Sequence, residues 1–215
     1  MITVYGRATS SNVQLVMWAS AELGLKVTRL DYGHVHGGLD TPEFLAMNPH
    51  GKVPVLQDGD LVIWESAAIL RYLCAAYGPG TPFWPSDPAT RARSDMWAEW
   101  GKTTLSASFT VPIFWSRVRT AATARDKAAL TRAVAVFNTH MAQLGRQVEG
   151  RTFVCGDDLT TADIVIGHLL FRWFTMDVAR DPQPAVEAYY ARLTQRAAYL
   201  DHVMVPYDSL RAEGA

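Results

Sequence analysis

The stretch NPHGKVPVLQDGDLVIWESAAILRYLCAAY, residues 48–77, decides how the first half of the chain folds. Val53 to Gln57 and Leu61 to Trp64 are two apolar runs joined by Asp58-Gly59-Asp60, the signature of a tight turn between antiparallel strands. Ser66 to Tyr77 carries its apolar residues at helical spacing and is closed by Gly78-Pro79. Upstream, Ile2 to Tyr5 is a short β-type run ending at Gly6, with Tyr5 placed in the core register. After the polar residues Thr9, Ser10, Ser11 and Asn12, an apolar segment from Val13 to Leu23 stops at Gly24, as a helix does at a C-terminal glycine. Lys26 to Asp31 alternates as a strand. Asp40-Thr41-Pro42-Glu43 opens a short helix with a capping side chain, a proline in the first turn and an early acid, and that helix ends near Asn48-Pro49. The order β-α-β, then α, then β-β-α gives a mixed sheet with helices on its faces.

Downstream, Gly78 to Asp87 is rich in Pro and Gly and marks a boundary. No comparable strand signal follows it. Pro88 to about Val118, Asp126 to about Glu149, Thr160 to about Thr175 and Pro184 to Gln195 read as helices, so the second half is an all-helical bundle. The expected division is 1–78, a linker at 79–87, and 88–215.

Composition removes several function classes. A formal net charge of -1 over 215 residues leaves no basic footprint for nucleic acid. No apolar run reaches the roughly 18 residues of a membrane span. The first residues lack the basic-then-apolar order of a secretory leader. Two cysteines, Cys74 and Cys155, stand far apart and form no metal-ligand or C-x-x-C spacing. The expectation is a soluble, cytoplasmic protein with reduced thiols.

This layout and three local motifs resemble the glutathione S-transferase superfamily, in particular bacterial serine- or asparagine-type members, nu- or theta-like. The resemblance runs from Met1 to about Asp201 and is strongest between Ser10 and Tyr77. It implies a thioredoxin-like N-terminal domain (βαβαββα) that holds glutathione, and an all-helical C-terminal domain that shapes the second substrate's pocket. The first motif is Asn48 to Leu56. In the family the Val53-Pro54 bond is cis, and the backbone of Val53 pairs with the cysteinyl unit of glutathione as an added strand does. Lys52 is positioned to meet the glycyl carboxylate. The second is Glu65-Ser66, at a helix N-terminus suited to a carboxylate. Ser66 and its backbone are expected to hold the γ-glutamyl carboxylate, with Glu65 facing the ammonium. The third is Thr160-Thr161-Ala162-Asp163, which resembles the family's capping box, with Asp163 in place of the commoner Glu or Gln. Asp163 is expected to be buried and to serve folding.

The implied chemistry is to make a thiolate of glutathione, as co-substrate, at neutral pH. Lowering a thiol pKa from about 8.5 by about two units takes about 2.7 kcal/mol. One hydrogen bond to a charged group contributes about 1.5–3 kcal/mol, and a helix N-terminus about 0.3–1 kcal/mol more. One donor plus one helix end therefore suffices. By position Ser10 matches the thiol contact of serine-type classes. Asn12 matches an asparagine of bacterial members acting on disulfides and peroxides, and Ser11 ranks third. No cysteine stands in this loop and Leu15 replaces a commonly basic residue, which disfavours the isomerase-like, omega-like and beta-like classes.

His34 and His36, one residue apart, suggest a metal at first sight, but no further ligands cluster nearby, and no metal is expected. Their loop, with His36, is expected to touch the glycyl end of glutathione. Cys74 is read as core and Cys155 as structural. The series Trp97, Trp100, Phe109, Phe114 and Trp115 reads mainly as core, with Thr104, Ser108 and Trp115 chosen for the acceptor pocket. The expected reaction is attack of the thiolate on an electrophilic small molecule, with peroxide or disulfide reduction close behind. The rival is a non-catalytic transferase-like binding or assembly module. The family further implies a homodimer.

Overall fold

A computed structural model describes residues 1–213. The first unit opens with β1 (Ile2–Tyr5), α1 (Ser11–Glu22), β2 (Val27–Leu30), α2 (Pro42–Met47), β3 (Val55–Asp58), β4 (Leu61–Trp64) and α3 (Ser66–Tyr77). The four strands form one sheet in the order β2-β1-β3-β4. β1 runs parallel to β2, with Ile2 opposite Val27, and antiparallel to β3, with Tyr5 opposite Val55. β3 and β4 form the antiparallel hairpin expected around Asp58-Gly59-Asp60. This is the thioredoxin-like arrangement, βαβαββα.

Alternation along β1 places Ile2 and Val4 in the core, while Tyr5 falls on the other face and is half-buried. The expectation that Tyr5 sits in the core register is therefore corrected: with a side-chain period of two, it cannot share a face with Val4. Its hydroxyl donates to Gln57 Oε1 at 2.9 Å, and its ring stands edge-on to Tyr32. α1 buries Val13, Leu15, Val16 and Trp18 and packs on α3, which contributes Ile69, Leu70, Leu73 and Cys74. Leu23 ends α1 and Gly24, at φ +69°, turns the chain into the left-handed region that glycine enters at no steric cost.

The second unit contains α4 (Pro88–Trp100), α5 (Ser106–Phe109), α6 (Lys127–Val148), α7 (Thr161–Thr175) and α8 (Pro184–Leu193). The helix expected from Pro88 to about Val118 does run continuously to Arg119, but with wide turns at Gly101–Leu105 and Thr110–Arg119. Pro112 has no N–H to give and its ring crowds the carbonyl four residues back, so the ladder widens around it. Gly101 marks the close approach to α7: a Cβ there would lie 2.9 Å from Ile166 Cγ1.

Two boundaries differ from expectation. The first compact unit takes in residues 1–86 and 197–205, the second 87–196 and 206–215, of which 214–215 lie outside the described residues. Residues 79–86 are no free linker. Thr81 Oγ1 donates to Gly78 O at 2.7 Å, Pro79 bridges Trp84, and Phe83 is buried. The additional helix α9 (Ala197–His202), in a stretch expected to belong to the helical domain, packs on α1. Tyr199, fully buried, sets its ring edge-on to Trp18 with centroids 4.8 Å apart.

Asp163 is buried as expected. Its carboxylate accepts from Val154 N at 2.8 Å, Thr160 N at 2.8 Å, Thr160 Oγ1 at 3.0 Å and Tyr189 Oη at 2.9 Å. Burial pushes its pKa up while these donors pull it down, and the net displacement is upward. It therefore caps α7 and also pins the Val154 loop and α8 to it.

Candidate functional site

The first unit brings together the starts of two helices. Ser10 is the N-cap of α1 in extended geometry, φ -86° and ψ 121°, and its carbonyl accepts from Gln14 N at 2.9 Å. Its side chain makes no capping bond, although it is only 9 % exposed. A serine at this position ordinarily spends its hydroxyl on the helix; here capping does not occupy it. Ser11 and Asn12 begin the helix, both half-buried.

Asn12 and Ser66 meet. Ser66 Oγ donates to Asn12 Oδ1 at 3.3 Å, joining the first turn of α1 to the first residue of α3. Ser66 is 1 % exposed, whereas Glu65 before it is exposed and holds φ +71°, a region a non-glycine residue seldom occupies. That conformation sends the chain straight from β4 into α3, with Glu65 O accepting from Ile69 N at 2.9 Å. Two helix N-termini side by side present converging amide dipoles, an arrangement that favours anions.

Val53 is half-buried before a cis bond to the buried Pro54. The loop leading to it is held by a residue for which no role is expected from sequence. Asn48, 3 % exposed, donates from Nδ2 to Lys52 O at 2.8 Å and accepts on Oδ1 from His50 N at 3.0 Å. The signal available in sequence was an amide side chain directly before Pro49, a frequent turn-former. Gly6 supplies a second support: a Cβ there would sit 2.5 Å from Val13 Cγ2 and 3.0 Å from Val53 Cβ. Only a glycine lets the end of β1 pass between α1 and the Val53 loop.

The Lys52 side chain is exposed. His36 is exposed too, in the turn His34–His36, with Nε2 3.8 Å from Asp31 Oδ1. The groove beside the Asn48–Lys52 loop, about 410 Å³, is lined by His34, Gly38, Asp40, His50 and Gly51 among others, and not by His36. His50 also packs edge-on to Trp64, with ring centroids 4.8 Å apart. Among the described residues no three His, Cys, Asp or Glu side chains gather as a metal site would require.

In the second unit, Thr104 and Ser108 stand one turn apart on the run from Gly101 to Arg119, both half-buried, and Ser108 Oγ donates to Leu105 O at 3.0 Å. Trp115 is exposed, with the Arg119 guanidinium 4.7 Å from its ring centre. Phe109 and Phe114 are core, but Trp97 and Trp100 are not: they line a groove of about 490 Å³ between α4 and α6 with Met96, Gln143, Arg146 and Gln147. None of Thr104, Ser108 and Trp115 lines that groove. Cys155 is half-buried, 3.9 Å from Arg93 O, and burial pushes its thiol pKa up, which makes it a poor nucleophile. No helix among the described residues is long and apolar enough to cross a membrane.

The family model described as "Glutathione S-transferase, N-terminal domain" matches residues 1–75, and "Glutathione S-transferase, C-terminal domain" matches 120–192. The chain is 36% identical over 208 residues to glutathione S-transferase GstB of Escherichia coli K12, covering 96% of this chain and 99% of that protein. Glutathione S-transferase D7 of Drosophila melanogaster is 35% identical over 176 residues, 80% of this chain and 75% of its own. Among solved structures, the theta class glutathione S-transferase of Xanthomonas axonopodis pv. citri with glutathione bound superposes with a TM-score of 0.90 at 39% identity, over 95% of this chain and 98% of that one.

Proposed function

We propose, since the chain belongs to the glutathione S-transferase family, that it binds glutathione on its first unit and activates the thiol for attack on electrophilic small molecules. The observation that carries this is Ser10: a nearly buried hydroxyl at the N-terminus of α1 that takes no part in capping. Such a hydroxyl donates to a thiolate held at the helix end, and the helix dipole adds to the effect. Val53, before cis-Pro54, offers its backbone to the cysteinyl unit. The start of α3, with Ser66 and the exposed Glu65, takes the γ-glutamyl end, and Lys52 and His36 the glycyl carboxylate. The thiol proton leaves to water, the sulfur forms a bond to the electrophilic carbon, and the leaving group departs with its electron pair. Peroxides and disulfides would be reduced through the same sulfur, with two glutathiones supplying the two electrons and leaving as glutathione disulfide. Thr104, Ser108 and Trp115 supply two hydroxyls and an exposed indole to the second substrate. The expected assembly is a homodimer in the cytoplasm, and light scattering at micromolar concentration checks its mass.

The test is the ultraviolet thiolate band of bound glutathione, titrated between pH 5 and 9 in wild type, Ser10→Ala and Asn12→Ala. A bound-thiol pKa about two units below the free value near 8.5, raised in Ser10→Ala, is the expected result. Binding without a shift removes the catalytic part of the proposal. Absence of binding leaves a transferase-like assembly module.

A further inference from the structure

Arg119 ends the wide-turned run Thr110–Arg119, at a helix C-terminus where a cation ordinarily serves the free carbonyls or the dipole. Here other groups serve those carbonyls. Thr120 Oγ1 donates to Trp115 O at 3.1 Å, Arg125 Nε to Ser116 O at 3.0 Å and to Thr120 O at 3.1 Å, and Ala212 N to Val118 O at 2.9 Å. The two cations whose charges act on Arg125 are engaged as well: Arg117 pairs with Asp177 at 3.1 Å and Arg211 with Asp208 at 3.0 Å. Arg119 makes no hydrogen bond or ion pair among the described residues, and its guanidinium lies 4.7 Å from the ring centre of Trp115. Trp115 itself is 43 % exposed. A guanidinium drawn to an aromatic ring by its charge keeps most of its five N–H donors available.

We propose that Trp115 and Arg119 make the acceptor pocket selective for aromatic electrophiles that carry a carboxylate, the indole stacking on the ring and the guanidinium forking onto the carboxylate. This rests on the assignment of Trp115 to that pocket made above, and names the substrate class it takes. The planar fork of a guanidinium matches the two oxygens of a carboxylate. An exposed indole with that fork beside it offers apolar area and positive charge within the breadth of one small molecule. A neutral ring uses the indole alone. A carboxylate without a ring uses Arg119 alone, in competition with water. The chemistry of the transfer is unchanged: on a halogenated acceptor, the glutathione sulfur forms a bond to the ring carbon that bears the halogen, and halide leaves with the electron pair of the broken bond. The carboxylate takes no part in that step and serves only to hold the ring.

The experiment measures kcat/KM at saturating glutathione for 4-chloro-3-nitrobenzoate and for its neutral carboxamide, in wild type, Arg119→Gln, Arg119→Lys and Trp115→Leu. The two acceptors share shape and leaving group, so the ratio of their kcat/KM values isolates the charge, and comparison with wild type cancels their different intrinsic reactivity. Arg119→Gln is expected to lower the benzoate-to-carboxamide ratio about fivefold, the upper end of what a half-exposed ion pair contributes, mainly through the KM for the benzoate. Arg119→Lys keeps the charge without the fork and recovers part of the ratio. Trp115→Leu lowers kcat/KM for both acceptors, since both stack on the indole. A ratio unchanged in Arg119→Gln overturns the proposal and leaves the guanidinium as a cover for the indole. A Trp115→Leu variant that turns over both acceptors as wild type does overturns it as well. The bound-thiol titration separates this inference from the reading beneath it. A wild-type protein that forms the glutathione thiolate yet turns over neither acceptor loses the inference alone. One that forms no thiolate loses the proposed catalytic function, and the inference with it.

Discussion

His168 is the side chain whose surroundings are most at odds with its chemistry. It lies fully buried in α7, Nδ1 is 2.6 Å from Val165 O, and Nε2 has no hydrogen-bond partner among the described residues. Burial, with the positive charges of Lys102 and Arg172, lowers its pKa from the ordinary 6.5 to about 3. The folded state thus holds a neutral imidazole with its proton on Nδ1, while the unfolded chain takes up a proton first as pH falls. This contribution to stability is complete above 6.5 and is lost progressively as pH drops toward 3. Urea midpoints measured across that range are expected to fall with acidity, and His168→Leu should flatten the profile. Asp163 makes a complementary case. Asp163→Ala leaves the Val154 and Thr160 N–H groups and the Tyr189 hydroxyl without their buried acceptor. The expected cost is about 3 kcal/mol or more, read from urea unfolding. Of these two residues the sequence disclosed Asp163, because a cap has a fixed spacing. Nothing in an apolar run containing His168 says whether its second nitrogen finds a partner.

At the scale of elements, the site depends on how tightly three segments close around Gly6. Gly6→Ala places a methyl against Val13 Cγ2 at 2.5 Å, at a φ of +151°. Either α1 or the Val53 loop must give way. Thermal unfolding is expected several degrees lower, and glutathione binding weaker, than in Gly24→Ala, where no atom lies within 4 Å of the added Cβ. Both positions have a positive φ, but +151° at Gly6 is harder for an L residue to adopt than +69° at Gly24, so the difference reports packing and backbone strain together. Asp58 accepts from the hydroxyls of Tyr77 and Tyr72 of α3 and so ties the hairpin to the helix. Those bonds lower the Asp58 pKa and push Tyr72 up to about 12. The strands and helices of the first unit were legible because each ends on local chemistry: Asp58-Gly59-Asp60, Gly24, Thr41-Pro42. The Asn12–Ser66 bond and the Asn48 clamp were not, since the spacing of apolar residues carries no record of which polar side chains meet.

Across the whole molecule the chain does not divide once, as a reading from left to right expects, but leaves the first unit at Ser86, returns at Ala197 and departs again after Val205. The six residues of α9 are too few to show a helical period, so their allegiance could not be read from pattern. It is set by one buried ring. Tyr199 is fully buried against Trp18, which is itself fully buried in α1, the helix that carries Ser10 and Asn12. Removing that ring opens a cavity under α1 and costs about 3–5 kcal/mol by analogy with large aromatic-to-alanine changes in cores. Tyr199→Ala is therefore expected to accelerate hydrogen exchange in α1 and α3 while leaving α6 and α8, which pack on each other in the second unit, close to wild type. Tyr199→Phe keeps the edge-on contact and should preserve protection. If exchange in α6 and α8 rises as much as in α1, the assignment of α9 to the first unit's core fails, because the stability it supplies would then not be local to that unit.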